Sequence, residues 1–206
     1  MPLAHPAADV WTLLADIAEE TPDSTAFIQG ERRLSFAELL DCAARAAQGL
    51  SDLGVGPDDR VALWMPNITA YPILYFACAR LGAIAVAVNT RYRAVEVADI
   101  VGRSGAKVLA CAPAFRRIDF LSILAGIEPE ALDKLSAIVT VGDTPEPVPP
   151  AIEQRRRVPF DRLLSRPAFA ANHASARAPC NIFTTSGTTS SPKFVLHRQG
   201  AIAGHA

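Results

Sequence analysis

The segment DRVALWMPNITAYPILYFACARLGAIAVAVN, residues 59–89, decides the fold class of this 206-residue chain. It begins with a short apolar run that ends at Pro66, continues with a mostly apolar stretch at 70–82, and closes with an apolar run at 83–89 that lacks polar alternation. Strands that are apolar on both faces are covered on both faces. The segment therefore predicts a buried strand, a helix and a second buried strand.

Part of this segment, residues 68–88, is apolar enough to raise the alternative of a membrane span. Arg80 lies inside it and would cost about 2.5 to 3.5 kcal/mol near the centre of a bilayer. Pro72 and Gly82 also divide it into separate elements. A buried helix followed by a buried strand is the favoured interpretation, and no membrane span is expected.

The alternation of strand and helix continues on both sides of this segment. Ser35 stands three residues before Glu38, which is the spacing of a capping box, and the helix that follows is predicted to end at Gly54. Further strands are predicted in KVLAC, SAIVTVG and CNIFTT. Further helices are predicted in RAVEVADIVGRSGA, AFRRIDFLSILAGI, PEALDKL and FDRLLSR. This pattern predicts an α/β layered fold with a mostly parallel sheet flanked by helices.

Composition excludes several classes of partner. Twenty Lys and Arg residues stand against 21 Asp and Glu residues, so no long-range field would recruit nucleic acid or an anionic membrane. The N-terminus lacks a basic start followed by an apolar run, so no secretory signal is expected. Four cysteines stand far apart without a C-x-x-C pair, which predicts reduced, buried thiols and a cytoplasmic protein.

Two other segments are predicted to lack core elements. Residues 143–158, DTPEPVPPAIEQRRRV, contain four prolines and three consecutive arginines, and we expect an exposed connection there. Residues 167–179 are predicted to form a loop. The arginine run itself is interpreted as a solvated face.

The segment NIFTTSGTTSSPKFVLH, residues 181–197, combines one glycine, one lysine and many short hydroxyl side chains after an apolar strand. Loops at the carboxyl edge of an α/β sheet are where such folds bind ligands. Dense hydroxyl and N–H donors beside one ammonium group suit a cluster of phosphate oxygens. The hydroxyl side chains are Thr184, Thr185, Ser186, Thr188, Thr189, Ser190 and Ser191.

The residues of this loop leave two interpretations open. Gly187 and Lys193 have the separation of a Walker loop, but Pro192 replaces its second glycine and Phe194 replaces the hydroxyl that would bind magnesium. An ordinary Walker site is therefore not expected. By composition alone, a polar surface loop and a phosphate-binding loop remain alternatives.

The stretch TSGTTSSPK, residues 185–193, resembles the signature loop of the adenylate-forming (AMP-binding) enzymes, which include acyl-CoA and aryl-CoA synthetases. Similarity to the start of that family's large N-terminal domain extends over nearly the whole chain from residue 10, including PN at 66–67 and LGAIAVAVNTRYR at 81–93. VNTRYRAVEVADIV is more similar to acyl-CoA ligases than to peptide-synthetase domains. The chain is thus identified as similar to the acyl-CoA synthetase branch.

The resemblance implies that the parent enzyme uses a carboxylic acid, ATP with Mg2+, and coenzyme A, forming an acyl-adenylate and then a CoA thioester. AFRRIDFLSIL is more similar to fatty-acyl ligases than to aryl ones, so a fatty acid is the expected substrate. The family's loop holds the β and γ phosphates of ATP. The resemblance implies the same role for the matching residues within 184–193. These are Thr185, Ser186, Gly187, Thr188, Thr189, Ser190 and Lys193.

The chain departs from the family pattern at three positions. The family more often has glycine where Ser190 and Phe194 stand, and often has histidine where Gln199 stands. No role is assigned to His197 or to the other histidines, and neither a catalytic side chain nor a metal ligand is identified.

The family's later motifs would follow residue 206, so residues 1–206 are expected to be an incomplete N-terminal domain without the C-terminal half or small domain. Three hypotheses follow. The chain is an inactive part of a ligase, which we favour, or a nucleotide-binding or self-associating interaction module. The third, a complete small phosphotransferase, is disfavoured because no acid or base is placed to finish a site.

Overall fold

The computed structural model describes residues 8–115, 118–142, 150–185 and 192–205. Its strands are β1 (Thr25–Gln29), β2 (Arg32–Ser35), β3 (Arg60–Trp64), β4 (Ile84–Ala87), β5 (Val108–Cys111), β6 (Ala114–Phe115), β7 (Ile118–Asp119), β8 (Ala137–Thr140), β9 (Arg156–Pro159), β10 (Pro179–Thr185) and β11 (Lys193–Arg198). Its helices are α1 (Val10–Glu20), α2 (Phe36–Ser51), α3 (Ala70–Leu81), α4 (Ala94–Ser104), α5 (Phe120–Ala125), a 3-10 helix (Pro129–Leu132), α6 (Pro150–Glu153), α7 (Phe160–Leu164) and α8 (Gln199–Ala203).

A seven-stranded sheet organises this part of the chain, in the order β11-β10-β4-β3-β5-β8-β9. The pairs from β10 through β9 are all parallel, and β11 alone joins antiparallel to its neighbour β10. The prediction of an α/β fold with a mostly parallel sheet is therefore confirmed. The five strands expected from apolar runs are β3, β4, β5, β8 and β10.

Alternate residues of the central strands enter separate cores on the two faces of the sheet. Val61 and Leu63 pack with α2 and α3 on one face, while Ala62 and Trp64 pack with α4 and α5 on the other. All four side chains are fully buried. Burial on both faces explains why these strands lack the alternation of a half-exposed strand.

Capping side chains and glycine mark the ends of the helices. In α2, the Ser35 side chain accepts a hydrogen bond from the Glu38 N–H, and the Glu38 carboxylate accepts one from the Ser35 N–H, so the expected capping box is present. Gly82 ends α3 with φ 66°, a left-handed conformation that suits glycine. Within the described residues, no helix is both long and apolar enough to span a membrane.

The described part of the Pro/Arg-rich segment, 150–158, departs from the exposed connection expected for 143–158; residues 143–149 lie outside the described residues. It contains α6, whose Ile152 is buried, and β9, which extends the sheet in parallel with β8. An edge strand accepts exposed arginines and a proline because only one of its sides pairs, so its composition resembles that of a loop.

Two further local expectations need correction. The predicted helix at 114–127 begins only at Phe120, because the Asp119 carboxylate accepts hydrogen bonds from the N–H groups of Leu121 and Ser122; the short strands β6 and β7 precede it. The expected helical piece at 129–135 is the short 3-10 helix.

Candidate functional site

The hydroxyl-rich segment connects the two strands of an antiparallel hairpin at the edge of the sheet. β10 runs parallel to β4 and ends at Thr185, beyond the carboxyl end of β4. Thr185 then pairs directly with Lys193, the first residue of β11. The hairpin therefore brings the first and last of the predicted phosphate-binding residues side by side, and both are exposed.

The other predicted site residues lie outside the described residues. They are Ser186, Gly187, Thr188, Thr189 and Ser190. Their assigned role stays a prediction, as does that of Thr185 and Lys193.

A cavity of about 670 Å³ opens beside the hairpin, where the carboxyl ends of β3, β4 and β10 meet. Polar and aromatic side chains share its wall, which suits a ligand with both kinds of surface. The hairpin is tied to this region by a hydrogen bond between the Tyr92 and Thr184 hydroxyl oxygens, 3.3 Å apart. Residues of the wall include Asn67, Tyr71, Asn89, Arg91, Phe183 and Thr184.

Arg103 of α4 attaches the other limb of the hairpin. Its Nη2 donates a hydrogen bond to the carbonyl oxygen of Pro192 at 2.7 Å, and its Cζ lies 4.3 Å from the centroid of the Phe194 ring. The same Nη2 lies 2.9 Å from Oδ2 of Asp99, one helical turn earlier. Lys193 is exposed and forms no ion pair with a residue of the described ranges.

Two departures from the family pattern acquire structural partners. Phe194 is partly buried and packs against the core on the α4 and α5 face. Gln199 is fully buried, and its Nε2 donates to the carbonyl oxygen of Ala79 at 2.8 Å. His197 lies edge-on to the Phe183 ring, with centroids 5.5 Å apart. These contacts are structural, so none of the three side chains is assigned a chemical role.

The cysteines do not have the character of nucleophiles. All four are free; Cys78, Cys111 and Cys180 are buried, and Cys42 is intermediate. Burial raises the pKa of the Cys111 thiol to about 12, and burial is also the main cause that raises the pKa of Cys78 and Cys180. A reactive cysteine needs a lowered pKa, because the thiolate is the nucleophile.

Metal-ligating side chains are not gathered in the part of the chain that the structure describes. No group of three His, Cys, Asp or Glu side chains there could hold a metal ion.

Sequence reasoning missed Arg103 and Tyr92 as partners of the hairpin. Both precede it by about ninety residues, as the sequence separations of 89 and 92 in their contacts show. The only available signal was Phe194, a bulky ring at a position next to Lys193 that needed packing on one side.

Known proteins similar to this chain are enzymes that form CoA esters. The chain is 37% identical over 196 residues to a 7a-methyl-1,5-dioxo-octahydro-1H-inden-4-yl propanoyl:CoA ligase of Mycobacterium tuberculosis, covering 91% of this chain and 36% of that protein. It is 30% identical over 199 residues to the mitochondrial medium-chain acyl-CoA ligase ACSF2 of Homo sapiens, covering 87% and 32%. The chain thus spans about a third of the length of these relatives.

A solved structure agrees with these relatives in fold. The inhibitor-bound N-terminal domain of FACL13 from Mycobacterium tuberculosis superposes with a TM-score of 0.70 at 27% identity, covering 93% of this chain and 44% of that one. The family model described as AMP-binding enzyme matches residues 14–206, nearly the entire chain. The chain therefore belongs to the family of AMP-binding enzymes, in agreement with the resemblance of its loop and N-terminal region.

Proposed function

We propose that this chain is the N-terminal part of an AMP-forming acid–thiol ligase and that its hairpin segment 184–193 holds the β and γ phosphates of ATP. The observation that carries the proposal is the pairing of Thr185 with Lys193 beyond the carboxyl end of the parallel strands. A hydroxyl donor and a free ammonium group thus flank a short segment rich in further donors.

The proposed reaction joins a carboxylate to the α-phosphorus of ATP, releasing pyrophosphate, and then transfers the acyl group to coenzyme A. Lys193 would neutralise phosphate charge, and hydroxyl and N–H donors would orient the phosphate oxygens. Such positioning and charge stabilisation is the main protein contribution when no side chain attacks the substrate. Mg2+ is proposed to enter together with the nucleotide phosphates.

A fatty acid is the proposed acid. Its support is the similarity of AFRRIDFLSIL to fatty-acyl ligases and the medium-chain acyl-CoA ligase among the relatives. We also propose that residues 1–206 alone do not catalyse thioester formation, a proposal supported by their covering only about a third of the length of the CoA ligases they match. Formation of an acyl-CoA by the isolated chain, followed by mass spectrometry, would contradict this part of the proposal.

The phosphate role is tested by calorimetric titration of Mg-ATP into the chain and its Lys193→Ala variant. We expect binding to weaken about tenfold or more in the variant, the usual effect of losing a charged hydrogen-bonding partner. Lys134→Ala is the matched control, because this lysine side chain is 70% exposed and forms an exposed ion pair with Asp133. Equal binding by all three proteins, or binding by none, would contradict phosphate holding by this chain alone.

Self-association is a second candidate function, supported by the surface of the hairpin. Phe183, Val195 and Leu196 are exposed by 43%, 39% and 54%. β11 pairs only with β10 in the described residues, so its other side could pair with β11 of a second copy. We expect Leu196→Lys to lower dimer formation in sedimentation velocity; a monomeric unmodified chain at high concentration argues against this candidate.

The cytoplasm is the proposed location, supported by four cysteines that are all free.

A further inference from the structure

Arg103 contacts the residues on both sides of Lys193. Its Nη2 hydrogen-bonds the carbonyl oxygen of Pro192, which precedes the lysine, at 2.7 Å. Its guanidinium stacks over the ring of Phe194, which follows the lysine, at 4.3 Å from the centroid. One guanidinium therefore contacts the residues on both sides of the lysine.

Both groups of the stacking contact, the Arg103 guanidinium and the Phe194 ring, have further contacts that restrict them. Asp99, on the same face of α4, accepts from the guanidinium at 2.9 Å and restricts its orientation. Phe194 packs against the core on the α4 and α5 face of the sheet. Because both groups are restricted, their contact limits the movement of the backbone between Pro192 and Phe194.

The geometry of the strand determines how this restricted backbone affects the lysine side chain. Successive residues of a strand project from opposite faces, so Lys193 projects away from the face where Phe194 meets Arg103. The carbonyl contact and the ring contact together fix the backbone on both sides of its Cα. A lysine side chain is otherwise a flexible four-carbon stem, whose orientation is costly to fix when a ligand binds.

We propose that Arg103 is a positioning residue for Lys193, holding its backbone so that the ammonium group is oriented toward phosphate before the ligand arrives. The proposal rests on the phosphate-binding function proposed above and adds a residue distant in sequence. Asp99 offsets the charge of Arg103, whereas Lys193 has no ion-pair partner among the described residues. A purely structural role, in which Arg103 only helps to secure α4, is the competing explanation.

The first test observes Lys193 directly, without ATP. The sequence contains three lysines, Lys107, Lys134 and Lys193, so lysine labelled with ¹³C gives three ε-methylene signals in an NMR spectrum. In Arg103→Gln we expect the Lys193 signal to shift and to show faster side-chain motion, while the signals of Lys107 and Lys134 stay unchanged. An unchanged Lys193 signal would overturn the proposal.

Arg45→Gln is the matched control for this experiment. Arg45 also pairs with an aspartate one turn earlier, Asp41, and also donates to a distant carbonyl oxygen, that of Arg166. It lies on α2 and contacts neither neighbour of Lys193. We expect no change at Lys193 in this variant; a change equal to that in Arg103→Gln would show a general effect of losing such a pair and overturn the proposal.

The second test separates positioning from general stabilisation by a double-mutant cycle on Mg-ATP affinity. Losing the guanidinium should weaken binding about three- to tenfold in the unmodified chain, in keeping with the modest strength of exposed cation–π and carbonyl contacts. The same change should have no further effect in the Lys193→Ala background. Arg103→Lys, which keeps a cation over the ring, should recover part of the affinity.

The outcomes distinguish this proposal from the phosphate-binding function. The Lys193 signal could change in Arg103→Gln while Lys193→Ala binds Mg-ATP as tightly as the unmodified chain. That result would overturn the proposed phosphate-binding function, and also the proposal that Arg103 orients Lys193 toward phosphate. If Arg103→Gln weakens binding equally in both backgrounds, the phosphate function stands and the positioning role is overturned. Should Arg103→Gln fail to fold, Phe194→Leu removes the ring contact and is expected to mobilise Lys193 to a smaller degree.

Discussion

The two lateral edges of the sheet are built in opposite ways. The β9 edge is a parallel strand of four residues that carries the exposed Arg156 and Arg157 and ends in Pro159. The β11 edge is an antiparallel strand of six residues whose central Val195 and Leu196 are exposed. Arginines and a proline discourage pairing with another strand, whereas a longer apolar edge leaves it possible.

Packing beneath the two edges differs as well. At the β9 edge, α7 returns against α2, and Leu163 lies directly over Gly49. At the β11 edge, the side chains of Arg103 and Tyr92 contact the two limbs of the hairpin. Among the described residues, both edge strands pair on one side only. A buried contact between two helices lies at the β9 edge, whereas exposed apolar side chains lie at the β11 edge.

The largest effect expected from this difference comes from removing the same side chain at each edge. Leu163 is buried, and Leu163→Ala should lower the free energy of unfolding by about 2 to 4 kcal/mol. Leu196→Ala should change it by less than about 0.5 kcal/mol, because this side chain is 54% exposed. Urea unfolding measures both values, and similar losses would show that the β11 edge is covered in solution.

A smaller effect is expected where α7 meets α2. A Cβ at Gly49 would lie 2.6 Å from Cγ and 2.8 Å from Cα of Leu163, so the two helices would have to separate. The cost of overpacking should exceed the stability that alanine gains over glycine in a helix. We therefore expect Gly49→Ala to lower the free energy of unfolding by about 1 to 2 kcal/mol, measured by urea unfolding.

Gly56→Ala serves as the control for this variant, since the nearest atom to its Cβ would be Oδ2 of Asp59 at 3.9 Å. We expect a change within about 0.5 kcal/mol there. If Gly49→Ala is as stable as this control, α7 does not pack tightly against α2.

The smallest effect expected concerns Asp52, at the C-terminus of α2 near the β9 edge. A hydrogen bond from Gln48, together with the ion pair and hydrogen bond from Arg166, lowers the pKa of the Asp52 carboxyl below its ordinary value of 3.8. A lowered folded-state pKa stabilises the fold above the ordinary value, and this contribution is lost as the pH falls through the folded pKa.

Because the pair is largely exposed, its contribution should be about 0.5 kcal/mol or less. Urea unfolding between pH 6 and the acid range, compared with Asp52→Asn, measures it as the difference in slope. A variant whose stability falls with acid as steeply as that of the unmodified chain would show that Asp52 contributes nothing measurable.

The central strands were predictable because burial on both faces requires a run of consecutive apolar residues, which is visible in the sequence. Val61, Leu63, Val108 and Ile138 belong to short apolar runs, and punctuation such as Pro66 bounds one of them. α2 was predictable because Ser35 and Glu38 complete a capping box within a few residues. β1 and β2 were not predicted, because they are mostly exposed and lack a long apolar run. α1 was also not predicted, although Asp9 caps its start and apolar residues recur in it at helical spacing.

The edges and the site were predictable only in part. The residue types of 184–193 left a surface loop and a phosphate-binding loop open, and the family resemblance favoured the second. Nothing local to these residues indicated that Arg103 would contact both neighbours of Lys193. β9 resembled a loop because one of its sides does not pair. Pairing at a sheet edge depends on a distant neighbour, and short polar strands carry little record of that neighbour.

The sequence by itself determined the family and the parallel α/β layers, because motifs, apolar periodicity and caps act over short distances. Only the tertiary structure decided that Thr185 and Lys193 pair at the end of a hairpin and that Arg103 reaches this hairpin. It also decided which two strands lie at the edges of the sheet, one with exposed arginines and the other with exposed Val195 and Leu196. These features depend on which strands become neighbours, and that choice is made by packing between segments far apart in the chain.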